Sequence, residues 1–249
     1  MRRLVAIAIC AAVLLGLAAC GAPEGEPENV AVAVLAAMGM EAKQLIERME
    51  NPRTVQTGGK RFTRGRVGPV DIVLHRCGMG LGKAEAGVRA LIETFQPDVL
   101  ILFGMSGGIV PEIGLYETVI ADCVYPAWEE NDRAIVTDWT LAALAMKVLE
   151  DARFAPIATG NKMTWRKSDY DRISQTCGAV AVDQESYAVA LAAEELGVSL
   201  LIIRSMSDTY DNSSLLGFFK YGPVSAEKAA KDTETVIRHL EELESTCLH

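Results

Sequence analysis

Histidine is nearly absent from this chain. Only His75, His239 and His249 occur in 249 residues, none spaced as a pair of ligands, and no Cys-x-x-Cys is present. Both absences speak against a metal centre, and neither a metal nor another cofactor is expected. Positive charge is also in short supply: 24 Lys and Arg stand against 33 Asp and Glu, for a formal net charge of −9, and no contiguous basic run occurs. Holding a phosphate backbone takes clustered Lys and Arg, so nucleic acid is not an expected partner. Internal repeats are missing too. What is there is a chain 50% hydrophobic and 23% charged, enough to bury one sizeable core, and one folded domain is expected over residues 30–249.

The first residues read differently from the rest. Arg2 and Arg3 precede an apolar run, Leu4 to Leu15, and the small-residue stretch Leu17-Ala18-Ala19-Cys20. This resembles a bacterial lipoprotein signal over residues 1–19, which implies cleavage before Cys20 and acylation of that cysteine. A plain signal peptide or an anchor helix is the alternative, although the run is short for a membrane span. Residues 20–29 continue as GAPEGEPEN after the cysteine, rich in Pro, Gly and Glu, and read as a flexible tether. The expectation is an exported protein, membrane-anchored through Cys20 on the periplasmic or cell-surface side. Processing removes Cys10 and leaves Cys77, Cys123, Cys177 and Cys247. Two of these lie in or beside apparent strands, so unpaired buried thiols are expected despite an oxidising compartment.

Strand and helix patterns alternate along the mature chain. Val30 to Ala37 is a continuous apolar run, as in a strand covered on both faces, and Glu41 to Glu50 follows with helical character. Asp71 to His75, the glycine cluster CGMGLG and Lys83 to Phe95 form a second strand and helix. Asp98 to Phe103 is a third strand running into the glycine-rich turn Gly104-Met105-Ser106-Gly107-Gly108. Glu117 to Val124 reads as a strand, Asp138 to Asp151 as an amphipathic helix, Ala179 to Val182 as a short strand and Gln184 to Leu196 as a helix. Ser199 to Ile203 is a buried strand, and a last amphipathic helix spans about Ser225 to Leu243. This order predicts a three-layer α/β/α sandwich with a central mixed sheet.

Chemistry gathers where strands end. Met38-Gly39-Met40-Glu41 follows the first strand, GMSGG the third, Asp183-Gln184-Glu185 the short one and Arg204 to Asp208 the last. Open α/β sheets bind ligands at the carboxyl ends of their strands, and a charge buried there is expensive unless paired or used. Singly each signal is weak. An acid at a helix start is commonly a capping feature, and CGMGLG is not followed by an acid at the end of a next strand about 20 residues on, as a dinucleotide site needs.

In this order the four segments resemble the nucleoside phosphorylase and nucleosidase superfamily, nearest to its methylthioadenosine/S-adenosylhomocysteine nucleosidase branch. Ala37-Met38-Gly39-Met40-Glu41 is similar to the family's Ala-Met-x-x-Glu, Gly104 to Gly108 to its Gly-Ser-Ala-Gly-Gly, Asp183-Gln184-Glu185 to its Glu-Met-Glu, and Arg204 to Asp208 to its Arg-x-x-Ser-Asp. The resemblance implies cleavage of a purine N-glycosidic bond, with a 5′-substituted adenosine as substrate and a homodimer as the assembly. It implies that Asp208 donates a proton to N7 of the base, that Glu41 orients and deprotonates water, and that Arg204 positions the pair. Glu185 would hold the ribose hydroxyls. Ser106, Gly107, Met105 and Gln184 would line the substrate site, and Trp165 or Met163 would stack on the base. Asp211 has no role and reads as a solvated or capping residue. Two departures stand out: Met105 replaces the family's serine, and Gln184 replaces a methionine that packs on the sugar. A phosphorylase remains an alternative, although the phosphate loop Gly-Asp-Pro-x-Arg is missing after the first strand. A nucleoside-binding lipoprotein without catalysis is a third reading. The short middle region also resembles phosphorylase-like proteins of hopanoid synthesis, which act on adenosyl-linked lipids.

Overall fold

A computed structural model describes residues 29–127, 133–213 and 215–246. The signal-like segment, Cys20, nearly all of the tether, Cys247 and His249 lie outside the described residues. In chain order the first half comprises β1 (Val32–Ala36), α1 (Gly39–Ile46), β2 (Glu50–Thr57), β3 (Lys60–Val67), β4 (Val70–Arg76), α2 (Leu81–Phe95) and β5 (Val99–Gly108). Then come β6 (Thr118–Pro126), β7 (Ile135–Val136), α3 (Trp139–Val148), β8 (Arg153–Thr159) and α4 (Lys167–Cys177). The chain finishes with β9 (Ala181–Asp183), α5 (Ser186–Leu196), β10 (Ser199–Asp208), α6 (Leu215–Arg238) and α7 (Glu241–Thr246).

Strand β1 is buried throughout and runs parallel between β4 and β5. Alternate side chains divide the core in two. Leu35, Leu100 and Ile202 pack with residues of α2 and α5, whereas Val34, Phe103 and Ile203 pack with residues of α1, α3 and α6. Helices therefore cover both faces of a mixed sheet, the layering that the alternating pattern predicts. One half of that sheet also closes on itself. β10 runs parallel to β5 and antiparallel to β6, β6 pairs with β8, β8 with β9, and β9 returns to Gly107 and Gly108 of β5. The carboxyl ends of β5, β9 and β10 are thereby drawn together.

Several elements differ from the sequence reading for physical reasons. The glycine-rich segment expected as a turn is extended strand, because Gly104, Met105 and Ser106 pair with Arg204, Ser205 and Met206 of an equally lengthened β10. Helix α6 starts at Leu215, well before Ser225, and accommodates Pro223. The β2–β3 hairpin and α4 carry no continuous apolar run, and the apolar run of β8, Phe154 to Ala158, contains Pro156, which argues against a strand; of α4 only Tyr170 and Ile173 are buried. Cys77, Cys123 and Cys177 are free and half-buried rather than fully buried. Among the described residues no helix is long and apolar enough to cross a membrane.

Candidate active site

Glu41 sits in the first turn of α1, where the orphan N–H groups of a helix start favour a carboxylate. Its Oε2 accepts from the Met38 N–H at 2.7 Å and its Oε1 from the Met105 N–H at 2.9 Å. Burial pushes its pKa up, and the Arg204 charge and these backbone donors oppose that. Gly104 makes the approach of the two side chains possible. A Cβ there would lie 2.4 Å from Glu41 Oε1 and 2.9 Å from Arg204 Nη1, at a φ of +151°.

Arg204 is the largest fully buried side chain among the described residues. Its Nη2 lies 2.6 Å from Asp183 Oδ2 and 3.6 Å from Glu185 Oε2, and it donates to Ser186 Oγ at 3.2 Å. Among the described residues its Nε and Nη1 have no hydrogen-bond partner. Burial disfavours the charge, but Asp183, Glu185 and Glu41 outweigh that and raise its pKa. Asp183, to which sequence reasoning gave no role, is the anchor of this arrangement. Thr159 Oγ1 donates to it at 2.8 Å, and both the N–H and the hydroxyl of Ser186 also point to it.

Glu185 follows β9 and crosses to the loop after β4, where the Gly80 N–H donates to its Oε1 at 2.9 Å. Burial, reinforced by the Asp183 charge, pushes its pKa up to about 7 against the pull of Arg204. Asp208 ends β10. The Ser207 hydroxyl donates to its Oδ1 at 2.8 Å, which offsets part of its burial, and its pKa is pushed up to about 6. Gly107 lies against this carboxyl: a Cβ at 107 would sit 2.9 Å from Oδ2.

A cleft of about 620 Å³ joins these groups. Glu41, Glu185 and Asp208 line it, as do Gln184, Met105, Ser106, Gly107, Met163 and Trp165. Arg204 is behind the wall rather than in it. Ser106 does not simply take over from the missing serine, because its hydroxyl donates to the Val182 carbonyl at 2.8 Å. Met105 turns its thioether toward α6, with Sδ 3.3 Å from where a Gly222 Cβ would stand. Phe218, Met79, Lys162 and Thr164 also line the cleft and were not proposed from sequence. Phe218 lies in the part of α6 that the helical pattern did not reach, whereas Met79 belongs to the glycine cluster already singled out. Asp211 pairs with Lys167 at 2.5 Å on the surface, in keeping with a solvated residue.

Residues 31–242 match the family model of the phosphorylase superfamily. The chain belongs to that superfamily. Among curated relatives, the 5′-methylthioadenosine/S-adenosylhomocysteine nucleosidase of Tolumonas auensis is 26% identical over 228 residues, covering 84% of this chain and 99% of the relative. The enzyme of the same name from Geobacillus thermodenitrificans is 29% identical over 222 residues, covering 80% and 92%. Among solved structures, a Helicobacter pylori nucleosidase variant with 5′-methylthioadenosine in its active site superposes with a TM-score of 0.80 at 20% identity, covering 85% of this chain and all of that one. The futalosine hydrolase of the same organism gives 0.79 at 21% identity, covering 86% and 99%. These structural likenesses speak for the superfamily fold.

Proposed function

We propose that the protein is a purine nucleosidase that hydrolyses the N-glycosidic bond of a 5′-substituted adenosine. The carrying observation is the pairing of two unlike carboxyls in one cleft. Asp208 is buried, bonded by a neutral hydroxyl and holds its proton up to about pH 6, which suits a donor to the departing base. Glu41 is bonded by backbone N–H groups and faces Arg204, which suits a base that receives a proton from water.

In the reaction the bond between the anomeric carbon and the base nitrogen breaks with its electron pair going to the base. Asp208 supplies the proton that makes the base a better leaving group. Water adds to the anomeric carbon and gives its proton to Glu41. The Arg204 charge favours the ionised form of Glu41 and opposes the burial that pushes its pKa up. Glu185, when ionised, accepts from two ribose hydroxyls at once. Gln184 presents an amide where a thioether is usual, which favours a polar group near the sugar.

The nucleoside-binder reading would gain support from an ionised, exposed Asp208 or from Met105 in the nucleophile's place; Asp208 is 5% exposed, which favours the hydrolase. Reaction in ¹⁸O-water separates hydrolysis from phosphorolysis: label on the anomeric carbon of the sugar supports this reading, and a sugar 1-phosphate overturns it. The N-terminal motif supports export and acylation of Cys20, and the superfamily resemblance supports a homodimer. Mass spectrometry of the mature chain and light scattering test these two.

A further inference from the structure

The loop after β8 is gripped by side chains from outside it. Lys162, Met163, Thr164 and Trp165 line the cleft, and Met163 and Trp165 are the side chains that would stack on the base. Tyr170, in the first half of α4, is fully buried, and its hydroxyl donates to the Thr164 carbonyl at 2.8 Å. Ser213 Oγ donates to the next carbonyl, that of Trp165, at 3.1 Å. Two consecutive peptides of the loop are thus held. Burial pushes the Tyr170 pKa up to about 12, so the phenol stays protonated and stays a donor.

Both grips lead back to Asp208. Ser213 belongs to the segment that follows β10, whose last residue is Asp208. Tyr210 of that segment tilts its ring against Tyr170, centroids 6.2 Å apart, and donates to Asp171 of α4 at 2.9 Å. Tyr170 and Ile173 of α4 form a small core of their own with Ile109, Ala158 and Ala179, and Tyr210 packs against it. The contacts differ in weight. The pair of Asp211 with Lys167 is exposed and contributes little, whereas the Tyr170 hydroxyl serves a buried carbonyl that is costly to leave without its donor.

We propose that Tyr170 is a positioning residue for base recognition: its hydroxyl fixes the Thr164 peptide, and with it the height at which Met163 and Trp165 meet the purine relative to Asp208. Tyr170 is not among the residues that line the cleft, so it acts through the loop. The proposal rests on the purine-site reading and deepens it, because the clasp acts on the base of the substrate and leaves the reacting carboxyls alone.

Tyr170→Phe keeps the ring and its packing and removes only the donor; Ser213→Ala does the same to the second grip. Each variant is titrated calorimetrically with adenine, assayed for purine release from methylthioadenosine, and digested with trypsin, which cuts after Lys162 and Arg166 at either end of the gripped segment. In Tyr170→Phe adenine affinity is expected to fall and KM to rise about tenfold while kcat stays within about twofold, since one buried hydrogen bond is lost and Asp208 and Glu41 remain. Cleavage after Lys162 and Arg166 is expected to quicken about tenfold, with other sites unchanged. Ser213→Ala moves the same readouts the same way but less, and Asp211→Asn moves none. Unchanged adenine affinity in Tyr170→Phe overturns the proposal. A fall in kcat at constant KM does so too, by placing the phenol in the chemistry, as does faster cleavage throughout the chain, which is the mark of a structural role alone. A wild-type protein that binds no adenine also overturns it. If adenine binds but no nucleoside is cleaved, the hydrolase reading fails by itself, and adenine affinity with cleavage at Lys162 and Arg166 still decides the clasp.

Discussion

Arg204 and Asp183 form a buried ion pair, Nη2 to Oδ2 at 2.6 Å, with side-chain exposures of 0% and 2%. It joins β10 to β9 behind the cleft and fixes the guanidinium that faces Glu41. Removing one charge of such a pair strands the other, at about 3–5 kcal/mol. Asp183→Asn is expected to lower the melting temperature by about 10 °C and to reduce purine release. Unchanged melting would show that the pair does not hold the wall together.

Asp208→Asn keeps an acceptor for Ser207 but has no proton to give the base. Turnover is expected to vanish while nucleoside affinity stays within about tenfold, since one ground-state contact is worth roughly 1.4 kcal/mol or less. Calorimetric titration beside a turnover assay checks both halves. Retained turnover rules out the acid role.

The pH profile follows from the same group. Asp208 acts protonated, so kcat/KM is expected to fall as pH rises past about 6, while Glu41 acts ionised and sets the acid-side loss. Stability should move in the same sense. A carboxyl whose folded pKa is raised, from 3.8 to about 6 for Asp208 and from 4.5 to about 7 for Glu185, favours the folded state fully below its unfolded pKa. That contribution is lost as pH rises through the folded pKa. Melting temperature is therefore expected to decline between about pH 4 and 7, and Asp208→Asn to be more stable than wild type at pH 8. A flat melting profile would contradict the raised values.

Gly104→Ala places a methyl 2.4 Å from Glu41 Oε1 in a backbone conformation that side-chain-bearing residues avoid. Strain alone costs about 1–3 kcal/mol, and Glu41 must move. Loss of activity beyond 100-fold with a lowered melting temperature is expected; a variant as active as wild type would remove Glu41 and its setting from the reaction.

Much of this was legible in the sequence because buried strands announce themselves as apolar runs and the charges at their ends stand out. Glu41, Glu185 and Asp208 line one cleft, with Arg204 directly behind it. Asp183 is missed by sequence reasoning because its partner is set by the closure of β9 against β5, which itself pairs with β10, a long-range pairing that no local pattern carries. The GMSGG segment was read as a turn because glycine disfavours strands, yet here the absent side chains make room for Glu41 and Asp208. Phe218 escaped because Pro223 and two glycines blur the periodicity of early α6.

The most direct test is purine release in phosphate-free buffer, followed by chromatography with methylthioadenosine, S-adenosylhomocysteine, adenosine and inosine in turn. Hydrolysis by Asp208 and Glu41 predicts free adenine from at least one 5′-substituted adenosine with no phosphate present. Release that requires phosphate, or none from any nucleoside that binds, would contradict it.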